Sequence, residues 1–99
     1  MATITTSLDG RRVKVSVNAE VSAPIYVSRS AVIAAVPGSG GTMLIEASFS
    51  QVADVAAGTA NWFPWDAGSV SVATVQALNG ATAIRFTAAA AAGIGEVSQ

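Results

Sequence analysis

Apolar and polar residues alternate one by one in several short segments of this chain. In residues 11–18, "RRVKVSVN", Val13, Val15 and Val17 fall on one side of the alternation and polar residues fall on the other. A period of two is typical of a β-strand, because successive side chains of a strand point to opposite faces of the sheet. The segment is therefore predicted to be a strand that buries its valines and exposes its polar side chains.

Other segments show the same strand pattern. "TMLIEASFS" and "ATAIRFTA" alternate in this way, and Pro24 places "APIYVS" at the start of a strand or at a sheet edge. The residues predicted to share one face are Met43, Ile45, Ala47 and Phe49 in the first segment and Thr82, Ile84, Phe86 and Ala88 in the second. Most of the regular structure is therefore expected to be β-strand.

Glycine-rich segments separate the predicted strands. "PGSGG" between "AVIAAV" and "TMLIEASFS" predicts a hairpin with a loose loop. Asn79-Gly80, between "SVSVATVQAL" and "ATAIRFTA", is the strongest short hairpin signal of the chain. The run "AAAAAG", residues 88–93, is too short to nucleate a helix alone, so it is interpreted as a strand end and a turn before a short last strand.

Residues 51–58, "QVADVAAG", are the one helix candidate before the alanine run. They would form two turns that close on Gly58, a residue suited to the left-handed conformation at a helix C-terminus. An irregular crossing segment explains the same residues equally well.

Turn signals recur every 8–12 residues, a spacing typical of all-β sandwiches and barrels. The predicted fold is therefore all-β: a small antiparallel β-sandwich or a jelly-roll-like barrel. The chain has 99 residues and no linker, so we expect one β domain over residues 1–99, with residues 1–10 as an extended N-terminal arm.

Charged residues are few, and this changes the expected surface. They make up 11% of the chain, against about 25% in typical soluble domains. Much of the surface must then be small and neutral, which suits burial against copies of the chain or another protein. A homo-oligomer is expected, and a monomer with a bland exterior is the alternative.

The basic residues are also few and gathered in one place. Arg11, Arg12 and Lys14 lie within four positions, and the net charge is −1. Nucleic acid would need a wider basic surface, so none is expected as a partner. Arg11 and Arg12 either solvate the start of a strand or contact an acidic partner. Apolar runs are far shorter than the roughly 20 residues of a membrane helix, so no membrane partner is expected.

The sequence shows no set of residues typical of a catalytic site. The chain has no histidine and no cysteine, and its six acidic residues are scattered without a calcium-binding spacing. Spatial convergence of two carboxylates is the one catalytic alternative. "GSGG" lacks the lysine and the strand–helix setting of a phosphate loop. We therefore expect no enzyme, no catalytic residue, no metal and no cofactor.

The segment "NWFPWDAGSVS" holds both tryptophans. Trp62 and Trp65 could stack on a sugar, or they could close the core, since each ring buries about 150–250 Å². The prediction is a corner in which one tryptophan packs into the core while the other lies nearer the surface at a subunit or partner contact. Arg85 is a candidate partner for Asp66.

Residues 58–99 carry a resemblance to a known group of proteins. "GTANWFPWDAG" followed by "TAIRFTA" and a short terminal strand resembles the C-terminal part of small tailed-bacteriophage virion proteins, which share a "GTxxWxxWxxG" segment. The opening "MATITTSLDGRRVKVSV" is similar to how such proteins begin. The resemblance implies no catalytic residues and a structural part of the particle.

The resemblance leaves open which part of the particle this is: a capsid decoration or cement protein, a head-fibre base or a tail component. A homotrimeric cement protein that binds the major capsid protein is favoured, since small β-sandwich trimers are the commonest of these parts. Such a protein would be located in the virion after assembly in the host bacterial cytoplasm. The alternative is a carbohydrate-binding or receptor-attachment module that uses Trp62 and Trp65.

The strand over residues 11–18 can be tested by placing a charge on its buried face. Val15→Asp is expected to lower the free energy of unfolding by several kcal/mol, because the carboxylate would be buried without a partner. Ser16→Asp, on the opposite face, is the control and should melt close to the parent in thermal denaturation. An unchanged melting temperature for Val15→Asp would contradict the strand.

Overall fold

The computed structural model describes residues 3–8, 11–27 and 30–99. Within those ranges it contains nine strands and one short helix. In chain order they are β1 (Thr3–Thr6), β2 (Arg12–Asn18), β3 (Ile25–Tyr26), β4 (Ser30–Val36), β5 (Thr42–Ser48), α1 (Val52–Ala57), β6 (Phe63–Pro64), β7 (Thr74–Asn79), β8 (Ala83–Ala89) and β9 (Ala92–Ser98).

The strands form two antiparallel sheets. The five-stranded sheet has the order β1-β2-β9-β4-β7, and the four-stranded sheet has the order β3-β8-β5-β6. The pairs β2–β9, β3–β8, β4–β7 and β5–β6 show that the second half of the chain runs back along the first. This is a long hairpin rolled into two sheets, which is the arrangement of a jelly roll. The all-β, two-sheet fold predicted from the sequence is confirmed.

Both predicted hairpins are wrong. β4 and β5, on either side of "PGSGG", belong to different sheets, and so do β7 and β8 on either side of Asn79-Gly80. Gly40 and Gly80 have left-handed backbones, with φ of 78° and 83°, so the turn chemistry was interpreted correctly. A tight turn reverses the chain direction, but it does not decide the sheet to which the next strand belongs. The next strand joins the sheet in which its apolar face is buried. Here that burial is in the opposite sheet.

The N-terminal segment is a paired strand where the structure describes it. Thr3–Thr6 forms β1, which pairs with β2 from Thr3 opposite Ser16 to Thr6 opposite Val13. The expected extended arm is therefore an edge strand of the five-stranded sheet over those residues. Residues 1, 2, 9 and 10 of the expected arm lie outside the described ranges.

The helix candidate is confirmed, and the alanine run contains a turn as predicted. Helix α1 ends at Ala57 and is capped by Gly58, whose φ of 78° is left-handed and whose N–H donates to the Val55 carbonyl at 3.3 Å. Ala90, with φ of 68°, lies in the turn between β8 and β9. The last strand is seven residues long, and it lies at the centre of its sheet between β2 and β4.

Alternating residues of both sheets fill the core as the pattern predicted. Val13, Val15 and Val17 of β2 are buried, while Lys14 and Ser16 between them are exposed. From the four-stranded sheet the core receives Met43, Ile45, Ala47, Ile84, Phe86 and Ala88. Phe49 departs from its predicted position, because β5 ends at Ser48 and the Phe49 side chain is 55% exposed.

Two glycines of β9 make room for the largest residues of the opposite sheet. A Cβ on Gly95 would overlap the ring of Phe86, and a Cβ on Gly93 would lie 2.5 Å from the sulfur of Met43. Phe86 and Met43 are both fully buried. The inner side of β9 is therefore a groove of bare backbone that receives these two side chains, so the sheets can pack closely.

The contact between Phe86 and Gly95 can be tested by adding one methyl group. Gly95→Ala is expected to lower the free energy of unfolding by about 1–3 kcal/mol, the usual range for overpacking a well-packed core. In a domain of this size each kcal/mol corresponds to a melting shift of roughly 4–8 °C.

The matched control is Glu96→Ala, the exposed neighbour on β9, which should melt close to the parent. The double variant Gly95→Ala/Phe86→Leu should lose less stability than the two single variants together, because the smaller side chain relieves the overlap. Simple additivity would show that the two residues do not compete for the same space.

Candidate interaction surfaces

The described residues contain no site of metal-binding chemistry. No group of three or more Asp, Glu, His or Cys side chains in that part of the chain is arranged to hold a metal ion. None of the helices found there is long and apolar enough to cross a membrane. The features that remain are an aromatic corner beside β5 and the two outer sheet faces.

Trp65 belongs to the core. The chain follows β5 through Phe63–Pro64, leaves it in a turn over residues 66–69, and returns at Val70 opposite Met43. The Trp65 backbone N–H donates to the Ile45 carbonyl at 2.9 Å, and its ring N–H donates to the Gly68 carbonyl at 2.6 Å. Its side chain is 3% exposed. The turn therefore satisfies the polar atom of the ring while the ring itself fills the core.

Trp62 lies on the outer face of the four-stranded sheet. The Arg85 guanidinium lies 4.4 Å from the centre of the Trp62 ring, and Arg85 Nε also donates to Glu46 Oε1 at 3.0 Å. Glu46 and Arg85 are directly opposite each other on β5 and β8. The expected pair of Arg85 with Asp66 is wrong, since Asp66 Oδ2 instead accepts from Gln76 Nε2 at 3.3 Å.

The stack of Trp62, Arg85 and Glu46 has a consequence for ligand binding. The two charged side chains are 30% and 19% exposed, and the guanidinium occupies one face of the indole. A cation over an aromatic ring at such a half-exposed position contributes about 0.5–1 kcal/mol. A sugar could therefore stack only on the other face of Trp62, and the buried Trp65 offers no platform.

Phe49 and Phe63 form an exposed aromatic pair that sequence reasoning missed. Their ring centres are 6.3 Å apart with a 44° angle between the planes, and the side chains are 55% and 53% exposed. The pair depends on the register of β5 and β6, which places Ala47 opposite Phe63. No local pattern encodes that register, because thirteen residues separate the two phenylalanines.

The two outer sheet faces differ in how they are covered. Ser48 and Ala83 lie on the outer face of the four-stranded sheet, yet both are 0% exposed. The segment of residues 49–62, which contains α1, places Trp62 on that face, where the ring stacks on Arg85. Asn61 N–H donates to Ser50 Oγ at 3.1 Å and holds the two ends of the segment together.

The outer face of the five-stranded sheet is open along its length, and its two halves differ in chemistry. The β4–β7 half carries an apolar patch, here named the valine face. It consists of Val32, Ala34, Val36, Val75, Ala77 and, on the adjoining β9, Ile94. Val32, Val36 and Val75 are 46%, 44% and 68% exposed. A contiguous exposed apolar patch is typical of a protein–protein contact.

The β1–β2 half of the same face is polar. A shallow depression of about 460 Å³ lies there, lined in part by Thr5, Arg12, Lys14, Ala34 and Glu96. Lys14 of β2 and Glu96 of β9 are directly opposite each other in the sheet. Charges of both signs beside an apolar strand suit the rim of an interface.

The four residues that the sequence marked for partner contact do not come together. Arg11 and Arg12 are exposed at the start of β2, and Arg12 lines the depression. Trp62 lies on the outer face of the other sheet, and Trp65 is inside the sandwich. The division into one core tryptophan and one nearer the surface is confirmed. Partner contact through Arg11, Arg12 and Trp62 stays a prediction.

Comparison with known proteins returns no relative: no family model, no curated protein and no solved structure matches this chain.

The different roles of the two tryptophans predict different losses of stability. Trp65→Ala should lower the free energy of unfolding by about 3–5 kcal/mol, since it empties the core. Trp62→Ala should cost less than half as much, because it removes a half-exposed ring and one cation–π contact. Chemical denaturation of both variants measures the difference.

Fluorescence of Trp62→Ala gives a control that does not depend on stability. Its remaining tryptophan, Trp65, should emit at short wavelength and resist acrylamide quenching. Equal stability losses for the two variants, or a red-shifted and quenchable Trp65, would contradict the assignment.

Proposed function

We propose that this chain is a non-enzymatic structural protein of a bacteriophage particle, a capsid decoration or cement protein that binds the major capsid protein as a homo-oligomer. The observation that carries the proposal is the open valine face, with Val32, Val36 and Val75 each at least 44% exposed. A protein that works alone in water gains nothing from this surface, whereas burial against another chain removes its apolar area from water.

Three further features support a structural role. The jelly-roll arrangement occurs in viral capsid and lectin domains, although a fold alone does not assign a function. Charged residues are 11% of the chain, which suits contacts between neutral surfaces. Residues 58–99 resemble small virion proteins in the "GTxxWxxWxxG" and "TAIRFTA" segments. The protein would then be assembled in the host bacterial cytoplasm and located in the virion.

The two halves of the open face suit two kinds of contact. The valine face suits contact with copies of the chain, because it is apolar and has no charge to exclude an identical surface. Arg11 and Arg12, at the polar end of the sheet, suit an acidic patch on the capsid protein. A trimer is the form that the resemblance favours, since capsid surfaces offer threefold positions and closed symmetry is usual for homo-oligomers.

Carbohydrate binding is the second candidate, and the exposed pair of Phe49 and Phe63 favours it. These two rings could present an aromatic surface to a sugar, separate from the free face of Trp62. Trp65 drops out of this candidate because it is buried.

The proposal predicts a homo-oligomer whose mass is a multiple of 9.8 kDa and persists in high salt, because its contacts are apolar and not ionic. Light scattering across a range of concentrations and salt measures the mass. Co-sedimentation with capsid shells of the phage that encodes the chain measures the second contact.

A monomer at high concentration that fails to sediment with capsids would overturn the structural role. Binding of a glycan to such a monomer, lost in Phe49→Ala and Phe63→Ala, would support the second candidate in its place.

A further inference from the structure

The four sheet edges in the described part of the chain are protected to different degrees. β3 and β6 are two residues long, and each has a proline at or beside it, Pro24 and Pro64. Short strands and prolines are common ways to prevent edge strands from pairing with other chains. β1 is four residues long, and β7, at the other end of the same sheet, is six residues long. β7 is thus the longest of the four edges.

β7 carries none of the features that block pairing. Its sequence, TVQALN, contains no proline and no charged residue. The surrounding stretch from residue 67 to residue 84 contains no charged residue either. In the described part of the chain β7 pairs with β4 alone, so the backbone groups on its other side point away from the sheet. Such a row of N–H and C=O groups is a template for pairing with another strand.

We propose that β7 pairs antiparallel with β7 of a second copy of this chain about a twofold axis, which joins two five-stranded sheets into one of ten strands. A twofold axis perpendicular to the sheet places the same strand beside itself in the opposite direction. Antiparallel pairing of this kind already holds every strand of the fold. Because β7 itself has no charged residue, no register places like charges directly opposite each other in the pair; the nearest charged residue before β7 in the chain, Asp66, accepts a hydrogen bond from Gln76 Nε2.

A second copy suits this edge better than a different partner. Val75 and Ala77 point to the outer face. In an antiparallel pair, outward residues lie opposite outward residues, so these two side chains would contact Val75 and Ala77 of the second copy. The two valine faces then lie side by side on one surface. A foreign strand selected by charge would find no charged residue in β7 to select it.

This contact goes beyond the proposed function, which names no pairing strand. It predicts masses in multiples of two: a dimer, or pairs of trimers where a threefold contact also forms. An isolated trimer would overturn the β7 pairing and leave the proposed structural role standing. A monomer would overturn the β7 pairing, and a monomer that also fails to sediment with capsids would overturn both.

The experiment compares two lysine substitutions on the same sheet face. Val75→Lys puts like charges across the twofold axis, and it should reduce the particle mass twofold in light scattering. Val36→Lys, on the interior strand β4, is the matched control. It places the same charge on the valine face away from the edge, so it weakens only contacts that the valine face makes. The mass of the parent is expected where β7 makes the only contact, and a mass no lower than that of two copies where the valine face adds a second one. Both positions are exposed, so the fold should tolerate either change.

Loss of assembly in both variants would show that the valine face makes the contact, and loss in neither would show that β7 makes none. Amide hydrogen exchange shows directly whether the free edge of β7 is paired. In the paired form, the β7 amides that point away from β4 should be protected from exchange at high protein concentration and exposed in Val75→Lys. Rapid exchange of those amides in an intact oligomer would overturn the proposal.

Discussion

The close approach of the two sheets depends on the contact between the Phe86 ring and the bare backbone of Gly95. Phe86 is the largest fully buried side chain, and its ring occupies the space in which any other residue at position 95 would place its Cβ. Gly93, two residues before Gly95 on β9, makes room for the Met43 side chain in the same way. β9 lies at the centre of its sheet, so both β2 and β4 are held at the distance that these contacts set.

The same close packing explains how a chain with six aromatic residues closes its core. Valines and alanines of the strands leave gaps that a few large side chains must fill. Phe86 and Met43 fill the centre, and Trp65 closes the side next to β5. The turn over residues 66–69 presents the Gly68 carbonyl to the ring N–H of Trp65, so the polar atom of this buried ring has an acceptor inside the fold. Packing and hydrogen bonding together fix this corner.

The rolled hairpin also decides which surfaces are available to partners. The chain between β5 and β6 places Trp62 on the outer face of the four-stranded sheet, where it forms a stack with Arg85 and Glu46. Nothing in the described part of the chain crosses the other outer face, so its apolar residues face water. This difference between the two outer faces is the reason that assembly is proposed through the five-stranded sheet.

The sequence by itself determined the clearly alternating strands and their buried side, because a period of two is a local property of the backbone. Val13, Val15 and Val17 show this, whereas residues 51–58 fitted a helix and an irregular segment equally well, and only the structure shows α1 there. The sequence also determined that one tryptophan belongs to the core, since the strands hold too few large side chains. It did not determine that Thr3–Thr6 is a paired strand or that Phe49 is exposed. Only the tertiary structure decided which strands pair, that Arg85 meets Glu46 and not Asp66, and that Phe49 meets Phe63. Those choices depend on contacts between distant residues, and their register is set by how the apolar faces of the two sheets fit together.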